Sequence, residues 1–278
     1  MSATSPEGPV LRLFSYLPNP RLAKATIAAR LCGLDLETRG AKPPELANWL
    51  WDFEARPLAP GEADASDTER QARTGFQGKL HKTDAFLDAH PFGTVPAAFS
   101  PDGRVGIFES NSIARAVARI GQSRCNLYGH DAYEASRIDS FLDVSLVFAR
   151  ASQRYLLALG GDRLDAVLYE ETREALTSYL AGMDQALAPD RATLVGEALS
   201  LADIVYAAEI TLLCGEGRSL ATLASLGVPP LLDAAAKDFP RAWACFERLC
   251  AHAAFAPDLG PYLDKVARKR AEAEAAQA

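Results

Sequence analysis

Pro91-Phe92-Gly93-Thr94-Val95-Pro96-Ala97-Ala98-Phe99-Ser100-Pro101-Asp102-Gly103-Arg104-Val105-Gly106-Ile107-Phe108-Glu109-Ser110-Asn111-Ser112-Ile113 carries the most structural information in the chain. Two short apolar runs, Ala98–Ser100 and Val105–Phe108, flank Pro101-Asp102-Gly103, and Asp-Gly between apolar segments signals a hairpin. Glu109 and Ser110 ahead of the spaced Ile113, Val117 and Ile120 signal a helix start. The segment is therefore expected to place an anion-favouring helix N-terminus beside a strand edge.

Working outward, Leu11–Tyr16 alternates apolar and polar residues and suits a first strand ending at Leu17-Pro18-Asn19-Pro20. A helix should follow, with Leu22, Ile27 and Leu31 inward and Gly33 at its stop. Leu34–Thr38 then reads as a second, parallel strand, ended by Pro43-Pro44. Residues 45–75 read as an insertion: Trp49, Leu50, Trp51 and Phe53 form a short amphipathic piece, and Gly61–Asp67 a mobile acidic loop. The aromatics are expected to cover the core; a substrate lid is the alternative. From about Asp131 onward the pattern is helical, and Ser200-Leu201-Ala202-Asp203 is a capping box opening a core helix. The expected fold class is an α/β N-terminal domain (residues 8–122, with the 45–75 insertion) followed by an all-α C-terminal domain (128–270).

Composition narrows the function. The chain has 278 residues, 49% of them hydrophobic, and a net charge of −7. That acidity argues against a nucleic-acid surface, which needs clustered Lys and Arg; the basic run Lys265–Arg270 reads as a solvated terminal helix. No apolar run is long enough to span a bilayer, and Met1–Glu7 lacks the features of a secretory signal, so the chain is expected to be soluble and cytoplasmic. Five cysteines without a C-x-x-C pair, and four histidines without paired spacing, suggest neither a disulfide scaffold nor a metal site.

The opening stretch has a binding chemistry. Val95 before Pro96 is held extended, so its main chain can pair with a short peptide-like ligand, whichever isomer the Val95-Pro96 bond takes. Ser110 at the helix N-terminus favours a carboxylate, and Glu109 beside it can hold an ammonium group. A ligand with an α-amino acid at one end, a peptide backbone and a thiol fits both elements, and glutathione is such a ligand. Lys79, His81 and Lys82 precede this turn and are candidates for the ligand's second carboxylate, with Arg21 a further one.

Leu13-Phe14-Ser15-Tyr16, Phe92–Ala97, Phe108–Ile113 and the capping-box run Leu194–Ile204 together resemble the cytosolic glutathione transferase superfamily. Leu17–Arg21 with Lys24, and Phe108–Ile113, resemble the transferase-like domain of the gamma subunit of elongation factor one-B, while the alanine- and arginine-rich composition looks bacterial. The resemblance implies a glutathione transferase fold, with an α/β thioredoxin-like N-terminal domain and an all-α C-terminal domain, glutathione as co-substrate, a hydrophobic and aromatic small-molecule partner, and a homodimer or a heterodimer with a related chain. Some bacterial members cleave β-aryl ethers of lignin fragments, so a β-etherase is among the activities implied; the alternative is a non-catalytic interaction module. In the family a Tyr, Ser, Cys or Asn after the first strand stabilises the thiolate. Asn19 falls there, with Ser15 and Tyr16 as the other candidates, while capping the helix is the competing role for Asn19. Lowering a thiol pKa by about two units takes roughly 2.7 kcal/mol. The electrophile is expected to meet some of Phe141, Leu142, Leu146, Phe148 and Tyr155.

Overall fold

The computed structural model describes residues 8–65, 67–72 and 75–275. Met1–Glu7 lies outside them, as does part of the predicted mobile loop at Ser66. The chain divides between Cys125 and Asn126 into two compact units.

The first unit opens with β1 (Leu11–Tyr16), α1 (Pro20–Cys32) and β2 (Leu36–Ala41). The start and stop of α1 follow local chemistry. Asn19 accepts the Arg21 amide at the N-cap, Pro20 occupies the first turn, and Gly33 takes the left-handed conformation (φ 60°) that ends the helix. β2 begins two residues later than the sequence pattern suggests and runs parallel to β1, pairing Leu11 with Leu36.

Residues 43–82 are where structure and expectation part. A 3-10 turn at Pro43–Asn48 leads to β3 (Trp49–Trp51), β4 (Arg56–Pro57), α2 (Glu62–Ala65), β5 (Glu69–Gln71) and β6 (Lys79–Lys82). The four strands form a small second sheet in the order β4-β3-β6-β5, with β3 and β6 parallel. Each strand is two to four residues long, too short for alternation to register. Trp51 is fully buried, meets Phe14 edge-on at 5.3 Å and donates its indole N–H to the Leu46 carbonyl. It is a core residue of the unit, so the covering role holds for Trp51 and a lid does not.

α3 (Asp84–Ala89), capped by Thr83, leads to β7 (Ala97–Phe99), β8 (Gly106–Phe108) and α4 (Ser110–Ile120). The main sheet has the order β2-β1-β7-β8. The hairpin turn is held by the Ser100 hydroxyl on Asp102 (2.6 Å) and by the Val105 amide on the Ser100 hydroxyl (3.0 Å). Ile113 and Val117 of α4 are buried, whereas Ile120 is exposed.

The second unit is helical: α5 (Ala132–Gly160), α6 (Ala166–Ala186), α7 (Leu201–Leu213), α8 (Leu220–Ser225), α9 (Ala235–Asp238), α10 (Pro240–Ala251) and α11 (Ala256–Ala275). α7 is its central helix, buried on nearly every face. The capping box forms, with the Asp203 carboxylate accepting the Ser200 and Leu194 amides, each at 2.9 Å. Phe141, Leu142, Phe148 and Tyr155 are buried inside this unit. Phe148 stacks on Tyr179 at 4.4 Å, and Tyr155 donates to Glu216. The basic run lies on α11, where Arg270 pairs with Asp233 and Glu274.

His90, behind α3, is a titratable element of the first unit's core. Its ring stacks on Phe108 at 5.1 Å and it is 1% exposed. Burial, with the charge of Lys82 adding to it, pushes its pKa from 6.5 down to about 4. The unfolded chain therefore takes up a proton near pH 6.5 that the native unit refuses until about pH 4. The stability of this unit is expected to be full above pH 6.5 and to fall by about 3 kcal/mol as pH drops to about 4. Denaturant melts of His90→Phe across that window should lose most of this slope.

Candidate functional site

Sheet register gathers the predicted residues at one end of the first unit. β1 runs antiparallel to β7 with Phe14 opposite Ala97, and β7 runs antiparallel to β8 with Ala97 opposite Phe108. One step further along each ladder brings Ser15 and Pro96 to a common level, and Pro96 and Glu109 likewise. The carboxyl end of β1, the start of β7, the end of β8 and the N-termini of α1 and α4 thus meet at one edge. In open α/β sheets that edge is where ligands bind.

The loop before β7 is built to hold Val95 in place. The Val95-Pro96 bond is cis, as is Leu17-Pro18 after β1. Gly93 sits at φ 57°, and a Cβ there would come within 3.3 Å of the Lys82 ammonium and 2.9 Å of Leu87. Lys82 is 5% exposed, donates to the Gly93 carbonyl at 2.7 Å and lies over the Trp51 ring at 4.8 Å. Its ammonium supports the loop from beneath, so the geometry gives no support to its holding a ligand carboxylate. His81 is buried as well, with Nδ1 3.4 Å from the Thr68 hydroxyl. Lys79 is exposed and pairs with Glu69.

At the other side of the edge, Glu109 has φ 66° and ψ 121°, a left-handed-side conformation that costs a non-glycine residue about 1–3 kcal/mol. It stands at the N-cap of α4 but its side chain makes no capping hydrogen bond, and it is exposed. A carboxylate merely capping the helix would accept from the first-turn amides, and this one does not. Ser110, the first residue of α4, is buried, and its hydroxyl accepts from Lys24 at 3.1 Å.

The three candidates for thiol activation differ in access. Ser15 is fully buried and accepts from the Asn19 amide at 2.9 Å. Asn19 is 6% exposed, and its Oδ1 caps α1 at the Arg21 amide, also at 2.9 Å. Tyr16 is half-buried and packs against the Phe14–Trp51 cluster. Capping is thus a real role of Asn19, while its second amide hydrogen remains beyond the bond to Ser15. Lys24, unassigned in the sequence reading, is the residue that reading missed. Its signal was a charged residue four positions after Pro20 and three before Ile27, inside the apolar stripe of α1.

The second unit carries a groove of about 770 Å³ lined by Trp243, Phe246, Cys214 and Cys250 among others; none of the predicted site residues lines it. No group of three or more metal-ligating side chains gathers among the described residues, and none of their helices is long and apolar enough to cross a membrane.

No protein-family profile matches the chain. The probable elongation factor 1-gamma 1 of Arabidopsis thaliana is 32% identical over 139 residues, 49% of this chain and 32% of that protein. A glutathione S-transferase-like protein of Gibberella moniliformis is 27% identical over 203 residues, 71% of this chain and 74% of that protein. The chain spans about a third of the length of the first elongation-factor relatives. Among solved structures, a glutathione S-transferase from Rhodospirillum rubrum superposes with a TM-score of 0.59 at 18% identity, covering 89% of this chain and 91% of that one. One from Methylobacillus flagellatus, with glutathione bound, gives 0.59 at 16% identity, covering 89% and 98%. The chain has the glutathione transferase fold: a mixed-sheet N-terminal part followed by a helical part.

Glu109→Gly is expected to leave thermal stability unchanged or raise it by up to about 2 kcal/mol, because relief of backbone strain offsets glycine's greater unfolded-state entropy. A melting curve shifted down by several degrees would show that Glu109 serves folding instead. Asn19→Ala should cost about 1 kcal/mol through the lost cap, whereas Asn19→Ser should keep most of it.

Proposed function

We propose that this chain is a glutathione-dependent transferase acting on a hydrophobic, aromatic electrophile, with the β-aryl ether bond among its candidate targets. The observation that carries the reading is Glu109: an exposed carboxylate held in a strained conformation, not used for capping, beside a helix N-terminus and opposite Val95-Pro96. The neighbour from Methylobacillus flagellatus has glutathione bound, which supports the same ligand here.

In this reading Glu109 takes the ammonium of the γ-glutamyl end. Ser110 and the α4 amides take its carboxylate, and the Val95 main chain pairs with the ligand's backbone. Lys82 and Gly93 keep Val95 at the right height. Bound glutathione supplies a thiolate that forms the carbon–sulfur bond as the leaving group departs from the electrophile. The N-terminus of α1 and the remaining amide hydrogen of Asn19 stabilise the sulfur's negative charge, which lowers the thiol pKa from about 8.5. Dimerisation, homo- or heteromeric, belongs to the same proposal.

One observation favours a second reading, a non-catalytic interaction module. Asn19 is engaged at both ends of its side chain, by the α1 cap and by Ser15, and the relatives include elongation factor 1-gamma proteins. Calorimetric titration with glutathione followed by turnover of a panel of chlorinated aromatics and β-aryl ethers separates the two. The enzyme reading expects binding plus turnover. It also expects Asn19→Ser to shift the pH profile of turnover upward by about one unit, roughly a tenfold loss of thiolate at neutral pH. Binding with no turnover would establish the module, and no binding would overturn both the ligand and the enzyme.

A further inference from the structure

Lysine is seldom fully buried, because its ammonium must leave water. Lys24 is 0% exposed in the middle of α1. Its Nζ lies 3.1 Å from the Ser110 hydroxyl and 2.7 Å from Asn111 Oδ1, reaching across 86 and 87 residues of sequence. Both partners belong to the first turn of α4, directly after Glu109.

The chemistry of the ammonium fixes the direction of these bonds. It has three hydrogens and no lone pair. Ser110 Oγ can only accept from it, so the hydroxyl hydrogen is left to donate elsewhere. Asn111 likewise can meet it only through Oδ1, which settles the orientation of that amide. A serine at a helix start without such a neighbour can turn its hydrogen inward and present lone pairs to a ligand, which suits a cation or a neutral donor as well as an anion. With Lys24 behind it, the inward-facing lone pair of Ser110 is taken and the hydrogen is turned away from the ammonium, which favours donation on the opposite side.

We propose that Lys24 is a positioning residue for ligand selection: it commits the Ser110 hydroxyl to donate to a carboxylate, and so restricts the α4 end of the site to ligands with a carboxylate beside their ammonium group. The inference rests on the glutathione reading above and extends it, from what is bound to why the α-carboxylate is required. Lys24 touches neither ligand nor reacting atoms in this scheme; it acts through Ser110.

The test compares glutathione with 4-aminobutanoyl-cysteinyl-glycine, the analogue lacking the α-carboxylate of the γ-glutamyl residue. The quantity read is the ratio of the two dissociation constants. The native chain should prefer glutathione roughly tenfold or more, as expected for a hydrogen bond to a charged group. Lys24→Met should lower the ratio several-fold, the α4 amides keeping the remainder, while leaving the analogue's own affinity nearly unchanged. A purely structural role would weaken both ligands alike and leave the ratio intact, and that result overturns the proposal. Should Lys24→Met fail to fold, Lys24→Leu takes its place: it has no donor to face Ser110 Oγ, so the ratio should fall there too. Ser110→Ala in the otherwise native chain should lower the ratio to the same extent, and a ratio unchanged from the native value in that variant also overturns the proposal. Failure of the underlying reading looks different, since the native chain would then bind neither compound.

Discussion

The pairing of β7 with both β1 and β8 is the constraint on which the rest of the first unit depends. Those two ladders bring Ser15, Val95-Pro96 and Glu109 to one end of the sheet, although they lie up to 94 positions apart in the chain. Without that register the helix start at Ser110 would be an isolated cap and the loop at Val95 an isolated turn. With it, a fixed main-chain edge and a donor-rich helix terminus face the same space. The buried aromatic cluster of Phe14, Trp51, Phe86 and Phe99 holds the register, since Phe14 lies on β1 and Phe99 on β7.

The site is organised from beneath by two lysines that have left solvent. Lys82 holds the Gly93 carbonyl under the Val95 loop, and Lys24 holds Ser110 and Asn111 under the α4 terminus. Each burial costs free energy that a surface lysine would not, and each fixes one of the two elements of the proposed ligand site. Glu109 adds backbone strain at the same edge. Three locally unfavourable choices within one small region support the proposed ligand site, because local preference yields where function requires it.

Much of this was legible in the sequence where the signal was local. The Asp102-Gly103 turn, the α1 start at Asn19-Pro20 and its stop at Gly33, the Ser200–Asp203 box and the Glu109-Ser110 helix start each depend on residues within a few positions, and each was read correctly. The small sheet of β3 to β6 was not, because strands as short as Arg56–Pro57 carry no alternation and the parallel pair of Leu50 with His81 spans 31 positions. The burial of the two lysines escaped for a related reason. Their type argues for the surface, and only long-range packing decides that Lys24 and Lys82 are covered. Lys82, one candidate for a ligand carboxylate with surface charge as its alternative, is buried beneath the loop whose Gly93 carbonyl it holds.

The end of the β1-β7-β8 sheet is the proposed glutathione site. Backbone amide NMR during titration with glutathione tests it most directly. Saturable shifts are expected at Thr94, Val95, Ser110 and Asn111, with the helical unit's groove around Trp243 and Phe246 unmoved. Shifts confined to that groove, or none near Val95 and Ser110 at saturating glutathione, would contradict it.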